Sequence, residues 1–423
     1  MKPTTAARWS VHKMGDQGDG VASDLSGDSA FIPFTLPGET VSAAVSKGRG
    51  EPIAILEASH ERVDPPCPHF TDCGGCSLQH WERAAYETWK RQKLVDALQA
   101  RGIGCDIAEI VPCAEHARRR VSLSARQTES GLLLGYHAAL SNRIVPIETC
   151  IVADRKIVDA LPRLRQMAVL AAQDSKPFSI TITAARTGLD IALAGLSALS
   201  DIDRRAVTDF ALKARFSRLS LNGEILVEAQ KPVVAFGQVD VVPPPGGFLQ
   251  ATEDAEEAMA KLVTDHLRSA KNVADLFAGC GTFALRLARS STVHAVEGDA
   301  ASIAALDRGF RHGEKLRRVT TEKRDLFDRP LTWKELKSFE GLVFDPPRAG
   351  AEAQCWQLAK SDVQKVAAVS CNPTTLARDL SLLIEGGYRL KSVTPIDQFL
   401  WSHHLEAVAL LEKPGKPRRR SLR

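Results

Sequence analysis

Hydrophobic and polar positions change rhythm several times along this 423-residue chain. Over residues 1–60, short alternating runs are punctuated by the glycine turns of GDQGDGVA, LSGD and LPGE, and Val41, Ala43 and Val45 alternate with polar or small residues. A period of two with such punctuation predicts short strands and a small β-barrel. From Trp81 to Gly102 the pattern becomes a charged amphipathic helix, which the glycine ends. Residues 105–240 mix short strands, among them SITITAA and LDIALA, with helices, and read as a second folding unit.

The clearest architecture begins near Gly247. Thr252 followed by Glu253, Asp254, Glu256 and Glu257 is an N-cap with an acidic first turn, and Ala258, Met259, Leu262, Val263 and Leu267 recur behind it at helical spacing. The runs NVADLF, VHAVE, GLVFD and KVAAVS then read as buried strands, with FALRLAR and ASIAALDRGF as helices among them. That alternation predicts an α/β domain with a doubly wound, mostly parallel sheet.

Composition places the chain in a class. Hydrophobic residues make up 44 % and charged residues 25 %, as in an ordinary globular protein. MKPTTAARWS lacks the apolar run of a secretory signal, and no segment is apolar enough to span a bilayer, so a cytoplasmic protein without a membrane partner is expected. Nine cysteines, an odd count, argue against a disulfide framework and for metal or catalytic use. The net charge of +4 is carried by the end of the chain: six of the 55 Lys and Arg lie from Lys413 onwards in KPGKPRRRSLR, leaving 49 against 51 acids. Such a tail suits phosphate contacts or solubility.

Candidate chemistry gathers at the predicted strand ends, where open α/β sheets collect ligands. DLFAGCGT, Asp275 to Thr282, is a strand running into a glycine turn, and Gly279 and Gly281 allow close approach of a ligand. Glu297 ends the next strand, where an acid commonly accepts from a ribose diol. Asp325 follows a third strand and Asp345 ends a fourth in FDPPR. Residue 284 is Ala where a dinucleotide fingerprint has its third glycine, so an adenosine ligand without a pyrophosphate fits better.

Cys371, in VSCNP, ends an apolar strand on the same side of the sheet, which favours a reactive thiol over an inert one. HHLEAVALL predicts a last strand with His404 and Glu406 on one face, and a carboxylate among apolar neighbours there calls for a function. Cys67, Cys73 and Cys76 form C-x5-C-x2-C, which needs a further ligand. Cys105, Cys113 and Cys150 are candidates, as are His69 or His80 for zinc. Arg118, Arg119 and Arg120 suit phosphates or a solvated edge.

SCNP, DPPRAG, HHLEAVALL and FLQ at Phe248 to Gln250 together resemble the RNA uracil-5-methyltransferases, and the resemblance covers nearly the whole chain. VHKMGDQGDGVASDLSGDSAFIPFTLPGETVSAAV resembles that family's TRAM domain, an OB-type barrel that holds RNA; CPHFTDCGGCSLQH resembles its iron–sulfur motif. The resemblance implies a TRAM-like barrel over residues 1–62, an α+β central domain with the iron–sulfur site over 63–240, a Rossmann-like methyltransferase domain over 241–413 and a basic tail over 414–423. The helix near 81–102 is a candidate to pack on the methyltransferase domain.

By the same resemblance Cys371 is the nucleophile towards uracil C6 and Glu406 the base that removes the C5 proton. Asp345 holds the cofactor or the uracil edge, and Gln250, Phe277, Thr282, Glu297 and Asp325 fall at positions that bind S-adenosylmethionine. Thr282 departs from the family's asparagine and Ala278 from its cysteine. IVPIETCIVAD resembles the segment of the fourth cluster ligand and selects Cys150, implying a [4Fe-4S] cluster, with zinc as the alternative. The implied substrate is a uridine of RNA, ribosomal RNA ahead of tRNA, flipped out for the thiol to reach it, and the enzyme is expected to be a monomer. A cytosine-5 enzyme and a non-catalytic RNA-binding iron–sulfur protein are the rival readings.

Overall fold

The computed structural model describes residues 6–414. The basic run of the tail lies outside the described residues. Five strands, Ala7–Met14, Gly20–Ser23, Ser29–Ile32, Thr40–Ser46 and Arg49–Glu57, close into a barrel. Their alternation turns Trp9, Val11, Ala22, Ile32, Val41 and Ala43 inward. Closure leaves no unpaired edge on so small a sheet.

The helix that follows is Arg83–Gln99, capped by Glu82, whose carboxylate accepts from Ala85 N at 2.9 Å. It packs on the carboxy-terminal α/β layer, where Leu94 and Leu98 join a core with Leu376, Leu380 and Leu383. Its other attachment is polar and buried. Lys90 Nζ donates to Asp397 Oδ1 at 2.6 Å and to Phe399 O at 3.0 Å, and Tyr86 Oη donates to Asp397 Oδ2 at 2.8 Å. Removing one partner of a fully buried ion pair leaves the other charge without compensation. Lys90→Ala is therefore expected to lower stability by about 3–5 kcal/mol, measured as a fall in the urea midpoint. A loss below about 1 kcal/mol would show that Asp397 finds another partner.

The central unit is a seven-stranded sheet in the order Glu224–Glu228, Arg218–Leu221, Gly188–Ala194, Phe178–Ala185, Arg120–Thr128, Gly131–His137, Ile144–Pro146. Inward-facing residues such as Val121, Leu123, Ile180, Ile182 and Ile191 pack against Leu164, Met167 and Ala168 of helix Leu161–Ala171 and against Val207 and Ala211 of helix Asp201–Lys213.

The third sheet has the order Val319–Lys323, Thr292–Glu297, Asn272–Leu276, Gly341–Phe344, Lys365–Ser370, Glu406–Glu412, Arg389–Ile396. The first five strands run parallel, and Glu406–Glu412 inserts antiparallel to both of its neighbours. The direction of winding reverses beside Asn272–Leu276, the switch point at which such sheets open a crevice. One helical expectation is shortened and the other holds. FALRLAR is helical only over Ala284–Leu287, while ASIAALDRGF belongs to a full helix, Ala300–His312, capped by Asp299.

The acidic first turn of helix Glu253–Leu267 also differs from a solvated one. Thr252 caps it as expected, yet Glu256 is fully buried. Glu256 pairs with Arg119 and, at 2.9 Å, with Arg286. Arg119 is thus a buried tie between the central sheet's first strand region and helix Glu253–Leu267, which corrects its reading as a phosphate contact or solvated edge. Arg120 is likewise occupied, donating to Gly246 O at 3.0 Å.

Candidate active site

The strand register brings the chemistry together. Ser370 pairs with Ala407 in antiparallel register, so the next residue along, Cys371, faces Glu406. Phe344 pairs in parallel with Ala368, which puts Asp345 at the same carboxyl edge. Asn372 then caps helix Pro373–Glu385, its Oδ1 accepting from Thr374 N at 3.1 Å, with the proline at the first turn. The sequence SCNP therefore encodes a strand end, an exit residue, a cap and a helix start in four positions.

Burial sets the electrostatics. Glu406 lies among apolar strand residues and is 2 % exposed. Desolvation, reinforced by the nearby Asp345 charge, pushes its carboxyl well above the usual range, against a hydrogen bond from Gln398. Burial raises the Asp345 carboxyl too, opposed by Gln250. The Cys371 thiol is pushed up to about 11 by burial and then by Glu406 and Asp345, with Arg348 acting the other way. Two carboxyls and a thiol in one pocket cannot all ionise, so the site holds protons in its resting state.

A chain of two amides connects the carboxyls. Gln250 Nε2 donates to Asp345 Oδ2 at 2.8 Å, and Gln250 Oε1 accepts from Gln398 Nε2 at 2.8 Å. Gln398 Nε2 also donates to Glu406 Oε2 at 2.6 Å, and its Oε1 accepts from Ala251 N at 3.0 Å. Glu406 Oε1 is buried without a partner. Gln398 was not singled out from sequence, because the segment between Arg389–Ile396 and Glu406–Glu412 carries no periodic pattern. His404 corrects an expectation: it precedes the last strand rather than sharing Glu406's face, and its ring meets Arg348 Nη2 at 2.8 Å.

On the other side of the switch point, Phe277 adopts a positive φ of 60°, a strained conformation of the kind that clusters at ligand sites. Its ring lies 5.5 Å from that of Phe327. Gly279 has a φ of 53°, and a Cβ there would meet nothing within 4 Å, which leaves an open cradle suited to an adenosine ligand. Gly281 serves packing instead, since a Cβ would come within 2.9 Å of Leu306. Glu297 shapes the cradle: its carboxylate accepts from Gly279 N and Asp299 N, each at 2.9 Å. Asp325 is exposed and accepts from Phe327 N at 2.9 Å, and Thr282 is half-buried. The structure thus assembles Glu297, Phe277, Thr282 and Asp325 around one loop, and Gln250 and Asp345 beside the thiol.

The cysteine motif sits elsewhere. Cys76 and Cys150 pack in a cluster with Met14 and Leu36 of the barrel, Tyr86 of the helix, and Leu400 and Trp401 of the loop before Glu406. Burial raises the Cys73 thiol and pushes Cys76 to about 12, and Cys67 and Cys150 add to both shifts. Cys105 instead borders the core of the third sheet, whereas Cys113 is buried in the same cluster as Cys76 and Cys150. His69 Nε2 accepts from Glu148 N at 3.2 Å, and His80 is buried beside Phe70. Among the described residues, no three His, Cys, Asp or Glu side chains converge as a metal-ion site.

With the geometry established, the chain can be set beside known proteins. It is 59 % identical over 413 residues to an uncharacterized RNA methyltransferase of Mesorhizobium japonicum, spanning 98 % of this chain and 100 % of that one. It is 31 % identical over 440 residues to the 23S rRNA (uracil(1939)-C(5))-methyltransferase RlmD of a Shewanella species, spanning 96 % and 95 %. The fold is similar to that of the Pyrococcus abyssi tRNA (uracil-54, C5)-methyltransferase in complex with S-adenosyl-L-homocysteine. That match has a TM-score of 0.75 and 22 % identity and covers 96 % of this chain and 99 % of that one. Residues 111–414 match the family model described as tRNA (Uracil-5-)-methyltransferase, and the chain belongs to that family.

Proposed function

We propose that this enzyme methylates C5 of one uridine in RNA, ribosomal RNA ahead of tRNA, through a covalent bond between Cys371 and C6. As a family member it is an S-adenosylmethionine-dependent RNA (uracil-5-)-methyltransferase. The observation that carries the finer reading is the register that faces Cys371 with Glu406, whose Oε1 is buried and free of any partner. Uracil C5 is a poor nucleophile. Addition of the Cys371 thiolate to C6 moves the ring electrons to C5 and O4, and C5 can then form a bond to carbon. S-adenosylmethionine supplies the methyl group as an electrophilic sulfonium substituent. Glu406 takes the C5 proton, the C5–C6 double bond re-forms and the sulfur leaves.

Asp345 and Gln250 suit recognition of the uracil edge or the cofactor, and Phe277, Glu297, Asp325 and Thr282 suit the adenosine. The complete site within one chain supports a monomer, and the free thiols support a cytoplasmic setting. The reading is tested with RNA from cells lacking this gene and methyl-labelled S-adenosylmethionine. Label is expected in 5-methyluridine after digestion, most of it from ribosomal RNA. Label only in 5-methylcytidine, or none in RNA, would refute it.

Cys67, Cys73, Cys76 and Cys150 are proposed to hold a [4Fe-4S] cluster. The C-x5-C-x2-C spacing supports this, and Cys67 and Cys150 lie near enough to Cys73 and Cys76 to raise both of those thiols. Protein purified without air is expected to contain iron and sulfide and to absorb broadly in the visible. One tightly bound zinc with no sulfide would overturn the assignment.

A further inference from the structure

Gln398 hydrogen-bonds Glu406 directly and, on its other side, Gln250, which in turn holds Asp345. Its amide makes three contacts, and they determine its orientation. Nε2 gives one N–H to Glu406 Oε2 and the other to Gln250 Oε1, while Oε1 accepts from the backbone N–H of Ala251. A flipped amide would set its oxygen against the Glu406 carboxylate and its NH2 against a backbone N–H, losing every contact. Gln398 is 2 % exposed, so water cannot replace these bonds.

We infer that Gln398 is a positioning residue for proton removal: it holds one oxygen of Glu406 as an acceptor and leaves the other, Oε1, aimed at the reacting base. This inference rests on the function proposed above. It makes Glu406 a one-sided base. Oε2 is tied to a donor that favours the ionised form, and Oε1 is left to take the C5 proton. Through Gln250 the same amide chain reaches Asp345, so the two carboxyls are held apart by neutral donors.

The other charged groups around Glu406 do not substitute for this donor. Asp345 is itself a carboxyl, and Cys371 faces Glu406 as a thiol. Arg348 is engaged with His404, beside which His403 lies. Asp397, next in the chain, is taken by Lys90 and Tyr86. Arg119, behind Gln250, donates to the Gln250 carbonyl at 3.1 Å and pairs with Glu256. Without Gln398, no described donor contacts the Glu406 carboxylate.

The test separates bond formation from resolution in single-turnover reactions with RNA and S-adenosylmethionine. Gln398→Met keeps length and removes the donor. Methyl transfer should proceed at close to the wild-type rate, while release of the covalent protein–RNA complex slows by about 10- to 100-fold, as expected for a lost hydrogen bond to a charged group. Release should also recover as pH rises, because hydroxide restores the ionised base that the amide no longer favours. Gln398→Glu, equally long, replaces the donor with a third carboxyl and should displace the pH dependence of release in the same direction.

Loss of methyl transfer and release in equal measure at every pH, in either variant, would overturn the inference and leave Gln398 a packing residue. Wild-type release from both variants would overturn it as well. Glu406→Gln is run alongside. A trapped complex with Glu406→Gln but prompt release from the Gln398 variants defeats the role of Gln398 alone. No trapped complex with Glu406→Gln defeats the proposed mechanism itself.

Discussion

Cys371→Ala is expected to abolish methyl transfer to RNA and every covalent protein–RNA complex, while S-adenosylmethionine still binds. In the proposed mechanism the thiolate makes the first bond, and without it C5 has no nucleophilic character for the methyl group. The neighbouring cradle of Gly279 and Glu297 does not depend on the thiol, so cofactor affinity measured calorimetrically should change little. A drop of several orders of magnitude in rate is the scale for deleting a covalent nucleophile. Residual methylation within about tenfold of wild type would exclude Cys371 from the chemistry. The wild-type reaction carries a related signature. Because the thiol is pushed up to about 11, the thiolate is scarce at neutral pH and becomes more abundant as pH rises. Formation of the complex should therefore accelerate with pH through the alkaline range, and a flat profile would contradict this electrostatic account.

Glu406→Gln separates from Cys371→Ala in kind as well as degree. In the proposed mechanism, attack and methylation need no base at this position, whereas loss of the C5 proton does. Methylated RNA should remain attached to Cys371 and run as a slow band on a denaturing gel, with turnover reduced by about 10²–10⁴-fold, the range for removing a general base. The substitution also removes one of the charges that raise the thiol, so Cys371 should ionise at lower pH in this variant. Formation of the complex should then be as fast as in wild type or faster at pH 7. Unchanged turnover in Glu406→Gln would rule the carboxylate out as the base.

Much of the site was legible because it lies on regular elements. Gly279 and Gly281 follow a short buried strand, and Cys371 and Glu406 stand at strand ends, where a polar residue breaks an apolar pattern. Residues whose roles depend on tertiary contacts were not legible. Arg119 looked like one of three equivalent arginines, and its burial follows only from Glu256, 137 positions away. Glu256 itself matched an exposed acidic first turn, since a helix start favours acids whether or not they are buried. His404 seemed to continue the strand parity of Glu406, but the strand begins at Glu406. Gln398 lies in an irregular connection, where neither period nor composition marks a residue, and its function comes entirely from the three groups it reaches.

The long-range ties also bear on how the units cooperate. Ser77 N and Leu78 N both donate to Trp401 O, at 2.9 and 3.1 Å, so the cysteine loop is bonded directly to the segment between Gln398 and Glu406. Lys93 Nζ reaches Asp16 O of the barrel at 2.8 Å and His403 O at 2.6 Å. Barrel, cysteine loop and helix Arg83–Gln99 therefore all meet the loop that leads into strand Glu406–Glu412. Such contacts explain why residues so far apart in sequence fix one short connection.

The central claim is that Cys371 bonds to C6 of a uridine that then receives a methyl group at C5. It is tested most directly by the mass of the peptide containing Cys371, isolated from the Glu406→Gln complex after nuclease digestion. The account predicts that this peptide carries a uridine nucleotide with one added methyl group, attached at Cys371 and at no other cysteine. An unmodified Cys371 peptide, or the same adduct on a different residue, would contradict it.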